Sequence, residues 1–354
     1  MKTNEISRRW ALSAIVAFCI GAVSPVQAQT YDQSWARTHF AGKTVTIHAG
    51  FGAGGTGANE SALVAKFIGK YIPGNPTVIV DYMPGAGSLT LANFMYNVAG
   101  ADGYEIGRIT NTLALGNLLE MQGVSFQADK FNWLGSYVLD TWLLVTGAKS
   151  GLTSLDALKT AKKKPHIGAR SVSDIGYKNT RVVEEALGYD FDIVTGYTSG
   201  EEVNLAVSRG EVDGQVIAYN SFVSRSLQQY KNGEIFVVVQ SGRGVGHESL
   251  PYLEKAPVVW TVAPKEAQQL LQAASLPWNA PFLLSPKTDP QAVGVLRDAF
   301  NKLAKDPEFA AAYEKTFGLP IDLTSGEQMQ KDVKAFSSIP PNVVKTLKTI
   351  FESN

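Results

Sequence analysis

The sequence predicts an α/β chain in two domains, with helices layered on largely parallel sheets. Three observations predict it. From Lys43 onward, short β-branched runs alternate with helix-period patterns. Glycine-rich loops stand where strands give way to helices, at 50–57 and 85–87. Setting aside the first 28 of 354 residues leaves 326, enough for two cores at 45% hydrophobic composition.

The first 28 residues read as an export signal. Lys2, Arg8 and Arg9 precede an uncharged apolar run from Trp10 to Val23, and Val26-Gln27-Ala28 offers small residues for cleavage before Gln29. The run is shorter than the ~20 residues a membrane-spanning helix needs. Ser7-Arg8-Arg9 also fits a twin-arginine signal, so the export route stays open. Cys19 is the only cysteine and follows Phe18, where a lipoprotein signal holds a small residue. The mature chain therefore has no thiol for a disulfide, a nucleophile or a metal. Losing Lys2, Arg8, Arg9 and Glu5 leaves 29 basic and 31 acidic residues, a balance that gives no footprint for nucleic acid. The expected product is periplasmic and roughly neutral.

Thr44 to Ala49 is the first strand, followed by the loop Gly50 to Gly57. Asn59 to Tyr71 has helical spacing, with Leu63, Phe67 and Ile68 on one face, and stops at Pro73-Gly74. Thr77 to Val80 is a second strand, leading into the turn Asp81 to Gly87. A helix from Ser88 to Val98 precedes a third strand, Tyr104 to Thr110. Leu143 to Thr146 reads as a strand crossing into the second domain, where Thr153-Ser154 caps a helix from Leu155 to Lys163. Pro165 to Ala169, Phe191 to Thr195 and Gln215 to Ala218 are its further strands, alternating with helices Thr180 to Leu187 and Glu201 to Ser208. Phe236 to Gln240 carries the chain back. Beyond it, Asp289-Pro290 and Asp306-Pro307 each set an N-cap acid before a helix-starting proline, and Gln291 to Lys305 presents Val295, Leu296, Phe300 and Leu303 for burial. No repeat or low-complexity tract is evident. The expected division is 29–144 plus 241–354 for one lobe and 145–240 for the other.

Gly50, Gly52 and Gly55 satisfy G-x-G-x-x-G between a strand and a helix, and Asp81 ends the next strand. One reading is therefore a nucleotide-dependent oxidoreductase. Against it, the acid lies farther on than the ~20 residues of that fingerprint. A diffusible nucleotide is also out of place outside the cytoplasm, and Pro84-Gly85-Ala86-Gly87 adds a second glycine loop that such a unit does not need. The physical content of the loop survives without a nucleotide. Glycines before a helix let backbone N–H groups converge on an anion, and the helix dipole favours negative charge there. A carboxylate fits such a nest as a phosphate does. Thr56 and Ser88 are candidate hydroxyl donors.

Other candidates carry less. Trp133, Trp142, Tyr219, Phe222 and Trp278 are of a kind to stack an aromatic acid but read as core. His39, His48, His166 and His247 lack metal-ligand spacing, and no G-x-S-x-G nucleophile elbow or paired carboxylates suggest catalysis. The expectation is no metal, no cofactor and no enzyme activity. Asp213, in Gly210-Glu211-Val212-Asp213-Gly214, either contacts ligand or caps the next element.

These loops also carry a resemblance. Phe51-Gly52-Ala53-Gly54-Gly55, Ile72-Pro73-Gly74-Asn75-Pro76 and Met83-Pro84-Gly85-Ala86-Gly87-Ser88 are similar to segments of the Bug-type receptors of tripartite tricarboxylate transporters. The similarity runs on through Asp102-Gly103-Tyr104, Gly196-Tyr197, Leu205-Ala206, Arg209 to Gly214, Leu296 to Phe300 and Lys305 to Phe309. It implies a type II periplasmic-binding-protein fold, two α/β lobes that close on ligand, and a membrane permease as partner of a monomeric receptor. It further implies that the loop Gly52 to Thr56 meets a carboxylate through main-chain amides, with Phe51 and Thr110 beside it. The loops Gly168 to Asp174 and Tyr197 to Gly200 would then face it, with Ser171, Ser173 and Thr198 as hydroxyl donors.

The chain departs from that pattern in three places. Ala58 and Ala62 stand where relatives often carry an acid and an arginine, which argues against an amino-acid ligand and for a less polar pocket. The loop Arg170 to Asp174 is more charged than usual, and Arg170 has the geometry to pair with a second carboxylate or with Asp174. The expected ligand is a small mono- or dicarboxylate, aromatic or aliphatic.

Overall fold

The computed structural model describes residues 31–53, 56–172, 175–197, 199–242, 249–274, 276 and 278–352. The expected signal segment, and with it the cleavage site, lies outside the described residues. Eleven strands form two sheets: β1 (Thr44–Ala49), β2 (Thr77–Tyr82), β3 (Glu105–Arg108), β4 (Asn132–Ser136), β5 (Trp142–Gly147), β6 (His166–Gly168), β7 (Asp192–Val194), β8 (Gly214–Ala218), β9 (Ile235–Gln240), β10 (Phe282–Leu284) and β11 (Thr324–Ser325). The first sheet runs β11-β4-β10-β3-β1-β2 and the second β7-β6-β8-β5-β9.

The two sheets share one plan. In the first, β1 is parallel to β2 and β3, and β10 is antiparallel to β3 and β4. In the second, β6 is parallel to β7 and β8, and β5 is antiparallel to β8 and β9. Each thus holds three parallel strands with the earliest in the middle, then one reversed strand, then a fourth parallel strand, and the first sheet adds β11 as an antiparallel edge beyond β4. The reversed strand is a visitor in both: β5 arrives before the rest of its sheet, and β10 returns to the first sheet after the second is complete.

Two cores flank each sheet, so the central strands β5 and β10 are buried on both sides, while the edge strand β2 is largely exposed. Alternation along β10 sends Phe282 and Leu284 to one core of the first sheet and Leu283 to the other. Along β5, Trp142 and Leu144 face one core of the second sheet while Leu143 and Val145 face its opposite. The proline-started helices form as the sequence predicts. Asp289 accepts from the N–H of Gln291 at 2.8 Å, and Asp306 from those of Glu308 and Phe309 at 2.8 and 3.3 Å. The helix expected to reach Lys163 ends at Lys159. Lys162, Lys163 and Lys164 repel one another, and Pro165 disfavours helical geometry just before it.

The strands divide between the sheets after Ser136, and β9 ends the second sheet at Gln240. Helices do not follow that division. Lys265–Ala274 and Pro341–Glu352, grouped by sequence with the first lobe, contribute Leu271 and Ile350 to a core of the second sheet. Two crossings are tied together: Asn279 donates its N–H to Val138 O at 2.8 Å, and Ser136 Oγ donates to the carbonyls of both Val138 and Asn279. Among the described residues no helix is long and apolar enough to cross a membrane.

Candidate functional site

A cleft of about 720 Å3 opens where the two sheets meet. That size suits ligand sites, which span ~300–1,000 Å3. Part of its lining comes from segments that leave the carboxyl ends of β1, β3 and β8: Phe51 and Gly57, then Arg108, Thr110 and Asn111, then Tyr219 to Ser221. These are the ends where open α/β sheets bind ligands, beside the point at which strand order reverses between β1 and β3.

The first wall begins with the two glycine loops, which lock together. Gly50 donates its N–H to Arg108 O at 3.0 Å, and its carbonyl accepts from Ser88 Oγ at 3.0 Å. A Cβ on Gly50 would stand 2.5 Å from Ser88 Cβ, so only glycine permits this approach. Gly85, Ala86, Gly87 and Ser88 all have positive φ, a run of left-handed geometry that delivers the Ser88 hydroxyl to Gly50. Ser88 is fully buried by the contact, and Thr110 Oγ1 likewise donates to Gly87 O at 3.1 Å. Both hydroxyls therefore fasten loops, though Thr110 also lines the cleft. Gly52 and Ala53 are exposed, Thr56 starts the helix Thr56–Ile68, and Gly54 and Gly55 lie outside the described residues.

Behind these loops lies a charged network that the sequence did not disclose. Arg108 and Glu60 are each 2% exposed. Glu60 Oε2 accepts from Arg108 Nε at 3.1 Å and from Nη2, while Glu60 Oε1 accepts from Tyr313 OH at 2.6 Å. Burial, reinforced by the Glu60 charge, holds the Tyr313 phenol far above its ordinary pKa, so Tyr313 is a fixed donor. Phe51 covers the guanidinium at 4.8 Å and Phe282 approaches it at 5.7 Å. Nη1 of Arg108 is buried and has no hydrogen-bond partner among the described residues. A buried donor left so costs about 1–3 kcal/mol, and more when charged. Gly57 makes room for it: a Cβ there would stand 2.6 Å from both Nη1 and the Phe51 ring.

The second wall is a short helix, Tyr219–Arg225, that starts directly from β8. Of the five aromatics named as stacking candidates, Tyr219 alone lines the cleft, its hydroxyl donating to Pro251 O at 3.0 Å; Trp133, Trp142, Phe222 and Trp278 are buried in the cores. Arg225 lines the cleft and pairs with Glu201 at 3.1 Å. The Glu201 carboxyl is held below its usual range by its own helix-terminal N–H and by Arg225, with Arg170 contributing. Arg170 thus stands near this pair, exposed, as is Ser171. Ser199 accepts from the N–H of Glu202 at 3.2 Å, and Glu201 and Glu202 occupy that helix's first turn, so its positive end is already answered. Tyr197 packs against the second sheet's core. Ser173, Asp174 and Thr198 lie outside the described residues.

Asp213 stands at the amino end of β8, the end opposite the one that lines the cleft. Its Oδ2 accepts from the N–H of His166 at 2.9 Å, and its own N–H donates to His166 O at 2.8 Å. Of the two roles open from sequence, this geometry is the fastening one. Asp81, the acid a nucleotide reading requires, lies 3.2 Å from Nδ1 of His48. Among the described residues no group of three or more His, Cys, Asp or Glu side chains could hold a metal. Next in the chain to the cleft-lining Leu139 and Thr141, burial raises Asp140 to about 6 although Asn111 Nδ2 donates to it at 2.8 Å.

No family model and no curated protein sequence matches the chain. Solved structures do. A TctC solute-binding protein from Polaromonas, without ligand, superimposes with a TM-score of 0.69 at 14% identity, over 88% of this chain and 99% of that one. MatC from Rhodopseudomonas palustris with bound malate gives 0.56 at 13% identity, over 86% and 99%. The periplasmic binding protein BugD gives 0.55 at 17% identity, over 87% and 97%. These superpositions place the chain, with its two sheets meeting at a cleft, in the two-lobed fold of the TctC- and Bug-type periplasmic solute-binding proteins.

Proposed function

We propose that the chain is an exported receptor, not an enzyme, that captures a small carboxylate and presents it to the permease of a tripartite tricarboxylate-type transporter. The observation that carries this reading is the cleft itself, walled by both sheets and floored by the amino end of Thr56–Ile68, a helix with no acid in its first turn. The open protein binds the carboxylate on the first wall, and closure about the crossings brings the second wall onto it. The malate in MatC supports a carboxylate as the class of ligand.

A thermal-shift screen of organic acids, run beside nicotinamide and flavin nucleotides, tests the proposal. Ligand that binds only the folded state raises the melting temperature. Stabilisation by one or more mono- or dicarboxylates without turnover is expected. Stabilisation by a nucleotide alone would sink it.

A further inference from the structure

We propose that Nη1 of Arg108, together with main-chain N–H groups of the first turn of Thr56–Ile68, holds a ligand carboxylate once Phe51 turns aside, and that the ligand is a monocarboxylate with an apolar body. The inference rests on the receptor reading above and names the charged group of its site.

Three of the structural facts converge on Nη1. The guanidinium is oriented from behind, because Glu60 takes Nε and Nη2 and is itself held by Tyr313. That leaves Nη1 as the face without a partner among the described residues, buried yet belonging to a side chain that lines the cleft. Nη1 also lies directly against Gly57 in the first turn of the helix, where N–H groups have no intrahelical acceptor. One anion can therefore meet the guanidinium and the helix terminus together, a charge-assisted arrangement stronger than main-chain donors alone.

Phe51 is the cover. Its ring lies 4.8 Å from the guanidinium. It stands between Gly50 and Gly52 at the mouth of the cleft, and a rotation of this one side chain would uncover Nη1.

The rest of the cleft sets the ligand's body. Val138, Leu139, Val223 and Leu250 supply apolar surface. The other arginine of the lining, Arg225, is paired with Glu201, and Glu314 brings negative charge that disfavours a second carboxylate.

Calorimetric titration of the mature protein with hexanoate, hexanamide and adipate tests this. Wild type is expected to bind hexanoate at least tenfold tighter than adipate or hexanamide. Arg108→Lys keeps a charge beside Glu60 but cannot present a second planar nitrogen. It should lose at least tenfold in hexanoate affinity with hexanamide unchanged. The pair Glu60→Gln with Arg108→Met removes both charges at once and serves as a second folded variant, with the same loss expected. Hexanoate affinity within twofold of wild type in either folded variant overturns the inference. So does a wild type that binds malate or adipate but not hexanoate, and that result leaves the receptor reading standing. A wild type that binds no carboxylate overturns both.

Discussion

The two walls of the cleft are built by opposite means. The first is a buried arginine–glutamate–tyrosine network, sealed under phenylalanines and drawn from three distant parts of the chain. The second is a short surface helix whose arginine makes a solvent-exposed pair with Glu201. A buried pair is costly to break, since one charge is then stranded, whereas an exposed pair is screened and worth little. The contrast assigns the walls different work. One holds its charged group fixed from behind, under the Phe51 ring, and the other carries its charge on an exposed, screened pair.

Mutation can break that contrast. Glu60→Ala strands Arg108 and removes the acceptor of Tyr313, so denaturant unfolding should show a loss of about 3–5 kcal/mol. The segment between the cleft-lining Leu139 and Thr141 responds to pH. Asp140 is raised to about 6, so between the ordinary carboxylate range and pH 6 the folded state binds the extra proton. Stability contributed by this group is present at the acid end and falls as pH rises to 6, by about 2–3 kcal/mol. Asp140→Asn should flatten that slope in melts taken from pH 4 to 7. Gly57→Ala drives a methyl into Nη1 and Phe51, and unfolding should register about 2 kcal/mol of strain. Smallest of all, Glu201→Ala should leave the melting temperature unmoved. A clear drop there would erase the distinction between the walls.

Much of the fold was legible because burial on both faces demands β-branched runs. Thr44 to Ala49 is the first strand residue for residue. β4, β10 and β11 were not legible, since Asn-Trp-Leu-Gly-Ser, Phe-Leu-Leu and Thr-Ser are too short or too poor in β-branched residues to show a period. Of the site, the glycine loops were readable and the network behind them was not. Two anomalies pointed to it. Arg108 ends a central strand that should be continuously apolar, and Glu60 heads the helix stripe Glu60, Val64, Ile68, whose other members are fully buried. A charge at either position needs a partner. Tyr313, more than 200 residues along the chain, is a partner that only tertiary structure could supply.

The visiting strands have a consequence for how the chain reaches its native state. The second sheet draws on one continuous stretch and is complete once β9 has formed. The first cannot close until β10 arrives to fill the gap between β3 and β4, by which time the whole second sheet has been synthesised. Until then β3 and β4 each present a bare edge, the kind that pairs with a neighbouring molecule. Long-range pairing of this sort is intrinsically slow. The sheet that carries the glycine loops therefore cannot lock before residues 282–284 are available.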